Sequence, residues 1–148
     1  MFPATGASGV GGVFKAGDTV IAQWNNTAAG DNNTDTISAV SINLSAFNGP
    51  VAIPATNAAG IWTATHPLPA GVAGNNRNVS ISAVDNAGNI TTTASTANAT
   101  VDTLVPAVSS IAVSGSPAPG DASVAFTVTF NKPVTNISTD DFTPCRSG

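Results

Sequence analysis

Glutamate and tyrosine are absent from this chain of 148 residues, and histidine, cysteine and methionine each occur once. Without glutamate there is no Glu pair to divide acid and nucleophile duties in glycoside chemistry. The sole histidine, His66, ends an expected strand just before Pro67, a structural or exposed position rather than that of a general base. A single cysteine, Cys145, excludes an internal disulfide, and it sits in the C-terminal tail with no histidine to activate it. Charged residues make up only 8%: eight Asp against two Lys and two Arg, for a net charge of −4. An acidic chain without a basic cluster argues against nucleic-acid binding. No apolar run reaches the roughly 18 residues of a membrane span, so membrane insertion is not expected. The opening Met1-Phe2-Pro3-Ala4 has neither the basic region nor the apolar core of an export signal. Phosphate loops and zinc-ligand spacings are missing as well.

What remains is Thr, Val, Ile, Ser, Asn and Gly, a composition that favours pleated strands over helices. Apolar residues reach 42%, partly through Ala, which implies a thin core. The chain is organised around residues 78–106. Val79, Ile81 and Ala83 alternate with polar partners, the period of a half-buried strand. Asp85-Asn86-Ala87-Gly88-Asn89 then supplies a turn, because Asp and Asn bond their own backbone and Gly88 accepts a positive φ without steric cost. A Thr-rich return run to Val101 completes an antiparallel hairpin. Pro106 cannot donate to a ladder and keeps Val105 extended, so the hairpin leads into a stiff connector.

The remaining elements fall in order before and after this hairpin. Residues 1–9 are a small-residue lead-in, and residues 10–14 form a short first strand. Val20, Ala22 and Trp24 share the inner face of the next strand, and residues 25–36 make a long polar loop. Val40, Ile42 and Leu44 share a third inner face, with Ile37 out of phase, which places a bulge near Ser38-Ala39. Residues 51–55 form a short edge strand marked by Pro54, and residues 61–66 point Trp62 and Ala64 inward. Residues 67–77 read as a loop. About seven strands at regular spacing with turn signals between them describe an all-β, immunoglobulin-like β-sandwich over residues 10–102. Residues 103–106 are the linker. The pattern restarts in residues 107–148, with strands at 108–113 and 123–130 and a new element at 137–142. That segment reads as the opening of a second Ig-like domain whose remaining strands are not supplied. Its Phe126, Val128 and Phe130 require a cover.

Several of these features together resemble the Ig-like tandem repeats of large repetitive bacterial surface adhesins and biofilm-associated proteins. They are Gly17-Asp18-Thr19-Val20 leading to Trp24, Gly30-Asp31-Asn32-Asn33 with Asp35, Trp62-Thr63-Ala64-Thr65, the DNAGN turn at 85–89, and Val101-Asp102-Thr103 before Pro106. Val128 to Val134 with Asp140-Asp141-Phe142 is similar to the start of another such repeat. The resemblance implies an extracellular module with neighbouring Ig-like repeats in the same chain. It also implies joints between repeats that are often bridged by calcium.

Two sets of side chains could supply the six to eight oxygens that calcium takes. Asp102 and Asp18 share the exit pole of the sandwich, and Asp140 and Asp141 follow the second strand of the next domain, near its N-terminal pole, so these four form the expected junction set. Asp31, Asn33, Asp35 and Asp85 share the opposite pole and form the second set. Taken singly, Asp18, Asp85 and Asp102 are better explained as turn and strand-end residues bonding backbone. Trp24 and Trp62 fall on inward phases and read as core rather than sugar platforms. The expected function is a non-catalytic spacer that projects a distal binding region toward a host or biofilm surface. The alternatives are a module binding glycan or host protein through the 25–36 loop, and an accessory domain of a secreted hydrolase.

Overall fold

The computed structural model describes residues 4–32 and 35–143. The chain divides into two compact units, Met1–Leu104 and Val105–Gly148. Both are built from antiparallel strands, so the all-β, sandwich-like character expected from composition and alternation is what forms.

Among the described residues, the first unit has nine strands: β1 Thr19–Asn25, β2 Ile37–Asn43, β3 Ile53–Pro54, β4 Thr56–Ala58, β5 Ile61–Pro67, β6 Ala73–Arg77, β7 Ser80–Asp85, β8 Ile90–Ala94 and β9 Ala99–Asp102. One sheet runs β1-β5-β4, a second β3-β2-β7-β8, and β6 pairs with β9. The inward phases meet in one core. Ala22 and Trp24 of β1 lie opposite Ala64 and Trp62 of β5, and these, with Val20, join Val40 and Ile42 of β2 and Ile81 and Ala83 of β7. The bulge falls where the out-of-phase Ile37 places it: register with β7 shifts between Ile37 and Ala39. Ser38 Oγ there donates to the carbonyls of Val84 (3.0 Å) and Asp85 (2.8 Å). Pro54 keeps β3 at two residues, and the chain changes sheets at Ala55, so that β3 pairs with β2 and β4 with β5.

Four expectations need correction. First, residues 10–14 are not a strand. Val10–Gly12 is a 3-10 turn, and only Phe14 pairs, through a parallel bridge to Val101. Second, the lead-in belongs to the fold. Thr5 and Ile21 exchange two backbone hydrogen bonds of 2.9 Å, and Ala4 and Ala7 pack against the core. A Cβ at Gly6 (φ +107°) would stand 1.9 Å from the Thr19 carbonyl oxygen, so only glycine lets the lead-in lie this close to β1. Phe14 is 1% exposed and meets Phe47 edge to face, with centroids 5.6 Å apart at 71°.

Third, the return run of the hairpin divides. β8 pairs with β7, but β9 leaves for β6, a strand inside the segment expected to be a loop. The sequence of β6, Ala73-Gly74-Asn75-Asn76-Arg77, has no β-branched residue, and its register breaks between Gly74 and Arg77, so alternation gives no cue. Fourth, Thr103 is structural rather than linker. It is 2% exposed, its Oγ1 accepts the Val72 N–H (2.7 Å), and its hydroxyl donates to the Val72 carbonyl (3.0 Å).

The second unit carries β10 Val108–Ser114 and β11 Ala125–Phe130, an antiparallel pair with a register shift between Val108 and Ser110. A 3-10 turn, Thr139–Asp141, follows where a new element was expected.

Candidate functional site

Two poles and one recess concentrate the polar chemistry of the first unit. At the exit pole β9 ends beside the turn that starts β1: the Asp102 N–H donates to the Phe14 carbonyl (2.8 Å), and the Leu68 N–H to that of Asp18 (2.8 Å). Asp18 and Asp102 therefore belong to the same pole. Asp18 is buried, and three donors occupy its carboxylate: the N–H (3.0 Å) and hydroxyl of Ser8, and the N–H of Lys15 (2.9 Å). The Ser8 hydroxyl is the chief reason its pKa lies below the ordinary 3.8, with the Lys15 and Ser8 backbone N–H groups adding to it. Asp102 Oδ1 accepts the Leu104 N–H (3.2 Å). In the second unit Asp141 Oδ2 accepts from the N–H (2.8 Å) and the hydroxyl (3.2 Å) of Ser138, a capping box that closes its 3-10 turn. Asp140, in the same turn, is exposed.

At the opposite pole the polar loop after β1 lies beside the β7–β8 turn, where the Asn86 N–H donates to the Thr36 carbonyl (3.0 Å). Asp31 accepts the indole N–H of Trp24, which anchors the loop to the end of β1. Asp85 accepts from Ala87 N (2.8 Å), Asn89 N (2.8 Å) and Asn89 Nδ2 (2.7 Å). The Asn89 side chain leads the lowering of its pKa. Asp35 is exposed, and Asn33 lies outside the described residues, as does Cys145.

Among the described residues, no group of three or more His, Cys, Asp or Glu is placed to hold a metal ion. Asp18 and Asp85 each place both carboxylate oxygens on N–H or O–H donors, Asp18 on Ser8 and Lys15 and Asp85 on the Ala87 and Asn89 groups of its own turn.

Sequence patterns did not reveal a third feature. A recess of about 260 Å³ is lined by Ser45, Asn48, Gly71, Val72 and Arg77, among others. Arg77 reaches it because β6 breaks register just before it, and one terminal guanidinium N–H donates to the Ala73 carbonyl. Its Nε is buried without a partner, as are Trp62 Nε1, His66 Nε2 and Asn26 Oδ1. The available signal was charge: Arg77 is the only cation between Lys15 and Lys132. His66 lies against Gly49, where a Cβ would stand 2.9 Å from its ring. Set against family models, curated proteins and solved structures, the chain matches none of them.

Proposed function

We propose that the chain is a structural spacer: an immunoglobulin-like bead with the opening strands of a second. It belongs to a repetitive bacterial surface adhesin and holds a distal binding region away from the cell. One observation chiefly supports this. A first unit with its own core ends on a locked residue, Thr103, and passes within a few residues through Pro106 into a second β unit. The carboxylates act locally, holding the lead-in, the polar loop and the hairpin turn, which is the work a rigid bead needs. Calcium recruited at Asp102, where the chain leaves the first unit, would stiffen the exit further. In an array of such units each copy chiefly contacts its neighbours, and length grows with copy number.

Small-angle scattering from tandem arrays of one, two and three copies tests the proposal. The maximum dimension is expected to rise in equal steps, and millimolar calcium to lengthen wild-type arrays but not those carrying Asp102→Asn. Collapsed arrays with and without calcium would refute the spacer. Equal steps without a calcium effect would refute the metal part alone.

A second reading, ligand binding through the 25–36 loop, draws on the unpartnered Asn26 Oδ1 and Trp62 Nε1 at that pole. Saturable glycan or protein binding lost on replacing the loop would favour it.

A further inference from the structure

The recess beside β6 holds a guanidinium that the fold fixes in place without neutralising. A Cβ at Gly74 (φ +147°) would stand 2.7 Å from Arg77 Nη2 and 2.8 Å from Nε, so the guanidinium lies against the Gly74 backbone in space that a side chain would fill. Nη2 donates to the Ala73 carbonyl, and Nε is buried without a protein acceptor. Of the five N–H groups of an arginine, three therefore remain on the terminal nitrogens with no acceptor among the described residues. No carboxylate among those residues pairs with the charge.

Two walls, each tied to the core, complete the recess. One is the 3-10 turn Ser45–Phe47, which ends on Asn48 in the left-handed region (φ 58°) and is anchored by the fully buried Phe47. The other is the start of β6, where the Thr103 hydroxyl bonds Val72 in both directions. Ser45 and Asn48 are exposed, and among the described residues neither side chain makes a hydrogen bond. The recess thus gathers a guanidinium, a hydroxyl and an amide within about 260 Å³, on backbone that is already fastened. Donors held in position before a ligand arrives lose little freedom when it binds.

We infer that this recess binds a small hydroxylated carboxylate, with the carboxylate on the terminal nitrogens of Arg77 and the hydroxyls on Ser45 and Asn48. The planar fork of a guanidinium matches a carboxylate bidentately. One positive charge balances one negative charge, whereas a doubly charged phosphate would add excess negative charge to a chain that already carries −4. The Ser hydroxyl and the Asn amide both donate and accept, which suits hydroxyl groups next to the carboxylate. The volume lies just below the roughly 300–1,000 Å³ of pockets for drug-sized ligands, so it fits one small unit. The site lies away from the 25–36 loop, because β2 starts beside Asp85 at the loop pole and runs toward Ser45 at the other end. It stands or falls separately from the spacer proposal.

Titrating the full chain with sodium glucuronate, followed by proton–nitrogen NMR, tests it. At the per-atom efficiency of ordinary ligands, a molecule of roughly 13 non-hydrogen atoms binds with a Kd on the order of 1 mM. Saturable shifts are expected at the Arg77 Nε–H and at the backbone amides of Ser45, Asn48 and Ala73. Glucose, which lacks the charge, and acetate, which lacks the hydroxyls, should each bind at least about tenfold more weakly. Arg77→Lys keeps the charge but loses the fork, and should weaken binding by about tenfold. Because any change at Arg77 also alters the support of β6, Ser45→Ala at an exposed turn position supplies a second readout: an unchanged thermal midpoint with binding about threefold weaker. Competition by a uronate oligosaccharide would place the acid at a glycan end, and its absence would leave the free acid as the ligand; both uphold the site. No saturation by about 50 mM, glucose or acetate binding as tightly as glucuronate, or shifts confined to the 25–36 loop would each overturn the inference.

Discussion

Replacing Phe14 with alanine separates a lead-in that is part of the core from one that merely precedes it. Phe14 is 1% exposed, its ring meets that of Phe47 at 71°, and its backbone bridges Val101 in the last strand of the first unit. Removing a fully buried Phe side chain costs about 3–5 kcal/mol through lost transfer energy and the cavity left behind. The upper part of that range applies here. Phe14 has an aromatic partner, and the hydrogen bonds on both sides of it limit how far the backbone can collapse into the space. Against a total of about 5–15 kcal/mol for a domain, the loss is roughly a quarter or more. At roughly 4–8 °C per kcal/mol for a unit of this size, the thermal midpoint should fall by about 15–30 °C. Urea unfolding followed by tryptophan fluorescence measures this directly, because the chain's two tryptophans face each other across β1 and β5 in the core. Val10→Ser is the control, since Val10 is 98% exposed and should change stability by less than about 0.5 kcal/mol. A loss under about 1 kcal/mol for Phe14→Ala would refute the claim that the lead-in completes the core.

Two further perturbations address the ends of the first unit. Thr103→Val keeps shape but leaves the Val72 N–H buried without its acceptor, so a loss of about 1–3 kcal/mol is expected in the same urea assay, with Thr103→Ser retaining most of the stability. A neutral Thr103→Val would show that the hydroxyl does not fasten β9. Acid stability follows from the carboxylates. Asp18 and Asp85 have folded-state pKa values below the ordinary 3.8, so their contribution is present above the unfolded value and is lost as pH falls through the lowered ones. The urea midpoint should therefore change little above about pH 5 and fall steadily below about pH 4. Carrying Asp18→Asn and Asp85→Asn together should flatten that acid limb, and an unchanged limb would show that other groups set it.

Strands with one buried and one wet face announced themselves in the sequence, because burial imposes the period directly. Val20, Ala22 and Trp24 are the clearest case, and even the bulge at Ser38-Ala39 was readable as a phase error. What stayed hidden was structure without an alternating face. Residues 4–8 are held by backbone exchange with Ile21 and by the Ser8–Asp18 bonds, and Gly6 is there because a Cβ would meet the Thr19 carbonyl. Phe14 pairs at a single position, so no strand pattern could form around it. β9 follows β8 in one continuous run of Thr and Ala, and nothing local says that the chain changes sheets between them. The acidic positions were legible as polar loops and turns. Their hydrogen-bond partners were not, since Ser8 lies ten residues from Asp18 and belongs to the segment read as lead-in.

The placement of that lead-in bears on how the first unit would carry load. Thr5 lies opposite Ile21 and Ser8 beside Asp18, so the chain runs antiparallel along β1, entering from the polar-loop end and heading toward the exit pole. β9 runs toward the same exit, and Phe14 pairs with Val101 in parallel. Tension applied through the two ends would therefore draw residue 14 back toward the entry and residue 101 forward toward the exit. The bonds joining them, Phe14 N–H to the Thr100 carbonyl (2.9 Å) and Asp102 N–H to the Phe14 carbonyl (2.8 Å), would be loaded together along the strand direction instead of opening one after the other. Phe14 and Val101 are both buried, so sliding one past the other would also pull two apolar side chains out of the core. A segment that looks like a tether by composition is thus placed where it fastens the last strand to the first.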